Sequence, residues 1–320
     1  MPDAVTMGEM MIQLNPVTTG PIRHVNYFER HAAGAEGNFA IGLARMGLTS
    51  GFITRVGNDE FGKYILRVLR SEGVDVSRVV IDREAPTGLY FIQRGYPIPE
   101  KSSVIYYRKG SAASRLGPDD IDPKYITEAK LFHVTGITPA LSESCREATY
   151  KALQIAEANN VKISVDTNIR LKLWSADKAR ETLLPMIRKA DIILTDPEDS
   201  EILIEERNPR KIAKNLLVMG ASIVVVKLGE EGALVATKDK VVKKSAFRVP
   251  VEDVIGAGDA FAAGFIAGIL KEEDIDKALE TANVAGALVV MVRGDIENMP
   301  SSDEVERFLA AKRKEKVVYR

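Results

Sequence analysis

From about residue 130 onward this 320-residue chain alternates short β-branched runs with helical patterns, and that rhythm limits its fold more than any other feature. Leu131–Thr135 reads as a strand, 143–159 as a helix and 161–166 as a strand, and the runs at 191–195 and 223–228 continue the series. Strand and helix in strict turn require right-handed crossovers, so the expected class is α/β: a doubly wound, mainly parallel sheet covered on both faces. Ligands of such sheets bind beyond the carboxyl ends of the strands. Polar residues gather there: Gly136, the run from Asp166 through Asn168 to Arg170, the run Thr195-Asp196-Pro197-Glu198, and Gly229 to Gly232.

Two segments break the rhythm. Residues 12–31 and 87–111 alternate apolar and polar positions without long helices between them, the pattern of strands with one covered face. They are expected to form a small discontinuous β-sheet that closes over the site as a lid, on a core built from 1–11, 32–86 and 112–320. An ordinary edge meander carries the same alternation. A lid would exclude water from a reaction that water could divert.

Composition removes several function classes. Lys+Arg number 44 against 45 Asp+Glu, a formal net charge of −1, which gives no electrostatic footprint for nucleic acid or an anionic membrane. The apolar runs at 260–270 and 284–292 are far shorter than the roughly 20 residues of a membrane span, and Cys145 is a single cysteine, so no internal disulfide forms. The first residues, Met1-Pro2-Asp3-Ala4-Val5, lack the charged and apolar regions of a secretory leader, and a cytoplasmic location is expected.

The stretch Asp253-Val254-Ile255-Gly256-Ala257-Gly258-Asp259, followed by the small-residue run at 260–270, carries the chemistry. Glycines allow close backbone approach, and the first N–H groups of a helix lack internal partners, so such a turn favours anions. Asp259 beside a bound anion suits a proton acceptor aimed at a neighbouring hydroxyl, which points to phosphoryl transfer to an alcohol. Gly-Ala-Gly-Asp by itself equally describes a turn followed by a helix-capping acid.

Other motifs lead elsewhere or nowhere. The run 57–63 approaches the phosphate loop G-x-x-x-x-G-K-[ST], but Tyr64 replaces the small hydroxyl, and the segment is expected to follow helical sequence rather than a buried strand. Phe261 occupies the last place of a candidate G-x-G-x-x-G, which argues against a nicotinamide or flavin enzyme. His24, His31 and His133 are scattered without metal-ligand spacing. Magnesium needs only one or two carboxylates plus substrate phosphates, and Glu198 is the candidate; Asp196, Glu198 and Asp199 could equally open a helix. With strand alternation, Tyr106 and Arg108 face one side, and with Tyr90 and Arg170 they suit a small acid, since guanidinium forks match carboxylates. A solvated sheet-surface arginine is the alternative for Arg108.

These residues together resemble the ribokinase (PfkB) family of carbohydrate kinases, over residues from about 4 to about 310. The signature D-T-x-G-A-G-D is represented by 253–259, with Val254 in place of threonine. The amino-terminal glycine signature is represented by Gly34, Ala35, Glu36, Gly37, Asn38, Gly42 and Gly47, continued by Gly57, Asp59 and Gly62, with Ala35 in place of the second glycine. The stretches 106–112, 166–175 and 292–295 are similar to the subgroup acting on 2-keto-3-deoxygluconate.

The resemblance implies an ATP-dependent sugar-acid kinase that phosphorylates the 6-hydroxyl, with the galactonate-derived epimer as a possible second substrate. It places Gly34, Tyr90, Tyr106, Arg108, Arg170, Gly256, Asp259 and Asp295 around the acid, with Asp259 as base and Gly256, Ala257 and Gly258 as the anion hole. It lays the nucleotide along Asn168, Thr195, Lys227, Gly229, Gly232 and Asn283. Its N-x-x-E magnesium motif is matched only by Glu198, since Thr195 replaces the asparagine. The other readings are a kinase of a neutral sugar such as ribose or fructose, and a non-catalytic sugar-binding protein. A homo-oligomer is expected from the unpaired apolar face of the lid.

Overall fold

In the computed structural model, residues 2–98 and 102–313 are described, and they contain thirteen strands and ten α-helices. The strands are β1 (Ala4–Met7), β2 (Met11–Pro16), β3 (Phe28–Ala33), β4 (Ser50–Gly57), β5 (Val79–Asp82), β6 (Leu89–Arg94), β7 (Ser102–Tyr107), β8 (Leu131–Thr135), β9 (Lys162–Asp166), β10 (Ile192–Thr195), β11 (Ile223–Lys227), β12 (Ala233–Ala236) and β13 (Val241–Lys244). The helices are α1 (Ala35–Arg45), α2 (Glu60–Ser71), α3 (Pro123–Thr127), α4 (Glu143–Ala158), α5 (Ala176–Ile187), α6 (Pro197–Ile204), α7 (Pro209–Val218), α8 (Ala257–Leu270), α9 (Ile275–Val289) and α10 (Ser302–Lys312).

Nine strands form one sheet in the order β13-β12-β11-β10-β9-β8-β1-β4-β5. All neighbours from β11 to β5 are parallel, and at one edge β12 runs antiparallel to both of its neighbours, β11 and β13. Period-two alternation sends the side chains of each strand to two separate cores. On β11, Val225 joins the core under α1, α2, α8, α9 and α10, while Val224 and Val226 join the one under α3 to α7. The expected doubly wound sheet is therefore observed, with both faces covered.

The second sheet has the order β3-β2-β6-β7 and is built from the two segments that interrupt the strand-helix rhythm. It takes in Met11, Ala32 and Ala33, just outside the limits expected from the sequence. Tyr90 and Ile92 on β6 alternate inward and pack with Met11, Ala33 and Ile255, while Phe28, Phe91 and Tyr107 meet edge to face on the outer side.

The resemblance of 57–63 to a phosphate loop has a structural explanation, and one expectation is corrected. The segment does follow a strand: β4 is buried along nearly its whole length and leads directly to α2. Its apolar residues are interrupted by Gly51, Thr54 and Arg55, which hid the strand pattern in the sequence. Asp59 caps α2 by accepting from the Gly62 amide at 2.7 Å and also accepts from the amide and hydroxyl of Thr87, both at 2.8 Å. Gly62 disfavours the helix by about 1 kcal/mol relative to alanine, yet a methyl group there would lie 2.1 Å from the Gly57 carbonyl oxygen. Burial of Ile65, Leu66 and Leu69, at about 1.5–3 kcal/mol each, outweighs that loss. Lys63 points to solvent and pairs with Glu60.

The segment therefore joins α2 to the entry of β6, and none of residues 57–63 lines the large cavity of the molecule. Asp59→Ala is expected to lower stability to chemical denaturation by about 1–2 kcal/mol, the worth of a lost cap. Lys63→Ala should leave both stability and the KM for ATP unchanged; a raised KM would restore the phosphate-loop reading.

Candidate active site

One cavity of about 800 Å³ opens between the small sheet and the carboxyl ends of the large sheet. Its walls combine the ends of β1, β9 and β11, the first turns of α1, α6 and α8, and the inner face of β6 and β7.

At its centre α8 begins. Gly256 caps the helix with φ of 81°, a left-handed conformation that suits glycine, and a methyl group there would lie 2.4 Å from Asp295 Oδ1. Gly258 and Asp259 line the cavity with Gly256, whereas Ala257 does not, and its N–H contacts the Val254 carbonyl at 3.4 Å. The amides in the first turn of α8 beyond it are the ones available to an anion.

Asn38, on the first turn of α1, organises the carboxylates. Its side-chain NH₂ group donates to Asp259 Oδ2 and to Asp295 Oδ1, both at 2.8 Å, while its oxygen accepts from the Gly34 amide at 3.3 Å. Burial raises the pKa of Asp259, the Asn38 bond opposes that shift, and the charge on Asp166 adds to it. Asp295 is pushed well above the ordinary carboxylate range by burial and then by Asp259. Tyr90 donates toward Asp295 Oδ2 at 3.5 Å and accepts from the Gln13 amide at 2.8 Å.

Tyr106 and Arg108 both face the cavity, while Tyr107 between them is exposed. Arg108 is buried, not solvated: its Nε and Nη2 donate to Glu9 Oε2 at 2.7 and 2.5 Å. Glu9 also accepts from Ser111 at 2.5 Å. Arg170 is exposed at the cavity and has no ion pair among the described residues; its Nη1 reaches only its neighbour's carbonyl, Ile169 O, at 3.3 Å. Lys227 reaches both oxygens of Asp166, at 2.8 and 2.7 Å.

The nucleotide candidates divide. Asn168, Lys227 and Gly229 line the cavity. Thr195, Gly232 and Asn283 do not. Thr195 is buried, with its hydroxyl against Thr167 and Ser200, and Asn283 donates to the Ser245 carbonyl. Gly232 sits in the turn into β12, where a methyl would lie 2.0 Å from Lys244 O.

Glu198 lines the cavity, is exposed, and accepts from Arg207 at 3.1 Å. Asp196 lines it too and caps α6 through the Asp199 amide at 2.8 Å. The acids that open this helix are thus also the acids at the cavity. Among the described residues no three His, Cys, Asp or Glu side chains form a metal cluster. The donor set here, two cavity carboxylates, fits a magnesium ion that takes its remaining ligands from water and phosphate. His133 is no ligand: it stacks on Phe39 with centroids 3.8 Å apart, and burial lowers its pKa to about 3.

Sequence reasoning missed Glu9 and Asp196 and gave Asn38 no role of its own. Glu9 immediately follows β1, so the rule that sites gather at strand carboxyl ends contained the signal.

Comparison with known proteins supplies the class, a carbohydrate kinase. The description "pfkB family carbohydrate kinase" matches residues 1–302, and the chain belongs to that family. A 2-dehydro-3-deoxygluconokinase of Thermoproteus tenax is 47% identical over 309 residues, covering 96% of this chain and 94% of that protein. One of Bacillus subtilis is 40% identical over 318 residues, covering 97% and 96%. Among solved structures, an E. coli protein in complex with ATP and Mg²⁺ is 27% identical with a TM-score of 0.91, covering 97% of this chain and 100% of that one. No helix among the described residues is long and apolar enough to cross a membrane.

Asn38→Asp would place a third carboxylate against Asp259 and Asp295. If Asn38 holds the base, the acidic limb of the kcat/KM profile should move upward by roughly one pH unit, because nearby like charge favours the protonated acid. An unmoved limb would show that Asn38 does not act on Asp259.

Proposed function

We propose that this cavity transfers the γ-phosphoryl group of ATP to the 6-hydroxyl of 2-keto-3-deoxygluconate, with Asp259 as the proton acceptor. The observation that carries the reading is the placement of Asp259 and the first turn of α8 in one cavity with two arginines, Arg108 and Arg170. The names of the Thermoproteus and Bacillus relatives support the same substrate.

The acid is held with its carboxylate toward Arg108, Arg170 and Tyr106 and its far hydroxyl toward Asp259, with Gly34, Tyr90 and Asp295 along its length. The nucleotide lies on the side of Asn168, Lys227 and Gly229, with its terminal phosphate at the amides of α8. When bound, Mg²⁺ offsets the charge of the nucleotide phosphates, and Asp196 and Glu198 are the carboxylates that would hold it. Positioning and charge stabilisation carry most of such a reaction, so a carboxylate of modest basicity suffices as base. The small sheet excludes water from the transfer. Its outer face exposes Ile105 and Tyr107, an apolar surface that supports self-association.

Arg170, with no ion pair among the described residues, favours an acid over a neutral sugar. A coupled assay should give 2-keto-3-deoxygluconate a kcat/KM at least about 10²-fold above fructose and ribose, because polar groups left unpaired reject the wrong substrate. The galactonate-derived epimer belongs in the same assay as a second acid. Equal or better turnover of fructose or ribose would replace this reading, and absence of ATP turnover with every acceptor would leave a binding protein.

Asp259→Asn should reduce kcat by about 10² to 10⁴ while moving the KM for the acid little. Asp259 accepts a proton only when ionised, and its pKa is raised by burial. Wild-type activity should therefore fall with decreasing pH along a limb above the ordinary aspartate value. Unchanged turnover in the variant would remove Asp259 from the reaction.

A further inference from the structure

Resting on the functional reading above, we propose that Lys227 is a catalytic cation that stabilises the phosphoryl group in transfer, and that Asp166 is its positioning residue. The two residues end strands that are not neighbours, since β10 lies between β9 and β11. Their side chains meet across the end of β10, with the Lys227 ammonium 2.8 and 2.7 Å from the two Asp166 oxygens. The pair is not core: Lys227 lines the cavity and its side chain is 17% exposed, against 2% for Asp166.

An ion pair of this kind contributes little to stability, because desolvation offsets most of its attraction. Its location gives it another use. A methyl group built on Gly258 would lie 3.8 Å from Lys227 Nζ, so the ammonium stands over the first turn of α8, beside the amides that lack helical partners. Asp259 senses both charges, raised by Asp166 and lowered by Lys227. Burial works against the lysine's charge, but Asp166 overrides it and holds the ammonium protonated. Lysine has three N–H bonds; two are spent on Asp166, and the third remains for an oxygen at the head of α8.

In the transfer, the bond from the γ-phosphorus to the β,γ-bridging oxygen breaks, and its electron pair stays with ADP. The acceptor hydroxyl oxygen bonds to phosphorus, and its proton passes to Asp259. Negative charge on the oxygens of the phosphoryl group in transfer is met by the third Lys227 N–H together with the α8 amides. A residue serving only to recognise nucleotide would grip ADP equally well.

The test uses the full-length enzyme and four chains: wild type, Lys227→Met, Asp166→Asn, and the double variant. Lys227→Met should lower kcat by about 10² to 10³, the effect of removing one preorganised donor, with ADP affinity by calorimetry and the KM for the acid nearly unchanged. Asp166→Asn should lower both Tm and kcat, because it leaves a buried ammonium unpaired. The double variant removes both charges; it should regain Tm while kcat stays at the level of Lys227→Met, a split that a structural role would not produce. A Lys227→Met enzyme with near wild-type kcat, a parallel loss of ADP affinity, or a double variant that regains kcat would each overturn the inference while the sugar-acid kinase stands. A wild type that phosphorylates no acid would overturn both.

Discussion

The side-chain NH₂ of Asn38 sets the spacing of the two carboxylates on which the site depends. Asp259 and Asp295 come from distant parts of the chain and share one donor group, each at 2.8 Å. Two buried carboxylates repel, so without donors between them one would protonate or turn away. What places Asn38 is helix packing. Gly42 lies one turn beyond Asn38 on α1, and Ala263 one turn beyond Asp259 on α8; a methyl group on Gly42 would come within 2.6 Å of the Ala263 methyl. Missing side-chain volume at that crossing brings the polar ends of both helices within hydrogen-bond range. An apolar contact thereby controls a distance between charged groups.

The same coupling runs through the small sheet. From Asp295, contacts pass to Tyr90, to Gln13, to Asn15 and to Arg94, whose Nη2 reaches Asp253 Oδ2 at 2.6 Å. Asp253 in turn accepts from the Ile255 amide at 3.2 Å, and the Ile255 side chain packs beneath Tyr90 and Ile92. The loop that leads into α8 is thus tied to the sheet by a buried ion pair and by apolar contact. Separating the sheet from the turn that opens α8 would cost stability, because it would strand Arg94 and Asp253 away from their mates.

The legible parts of the sequence were those governed by local periodicity. Leu131–Thr135 and the α4 segment stood out because their patterns were long and uninterrupted, and β4 was hidden by a glycine, a threonine and an arginine at positions where a strand reader looks for apolar residues. The motif at 253–259 placed the glycine turn that opens α8 and put Asp259 in its first turn, since a glycine turn on a helix is a local feature. The nucleotide side was less legible. Thr195 sits at the end of a central strand, where the strand-end rule puts a ligand, but its hydroxyl is consumed by Thr167 and Ser200. Gly232 and Asn283 serve a turn and a helix-to-loop contact. The partners of Arg108 and Lys227 were illegible for a different reason: Glu9 is 99 residues from Arg108 and Asp166 is 61 from Lys227, and pairing over such separations is decided by topology alone.

Those pairings also explain how a cavity rich in acids can receive anions. Glu9 and Asp166 each take part of one cation's hydrogen-bonding capacity and leave the rest aimed inward. A guanidinium or ammonium held this way has lost its rotamer freedom before any ligand arrives, and up to about 2 kcal/mol of side-chain entropy per long cation is not charged to binding. Arg170 is the exception, exposed and with no acid in an ion pair with it among the described residues. Asp259 feels its charge, yet no acid takes up its hydrogen bonds, so on the proposed reading Arg170 would attract an incoming carboxylate, whereas Arg108 and Lys227, each held by an acid, would supply direction. On that reading, attraction and orientation fall to different side chains, and the acids that reduce net charge in the interior are what allow the fixed geometry there.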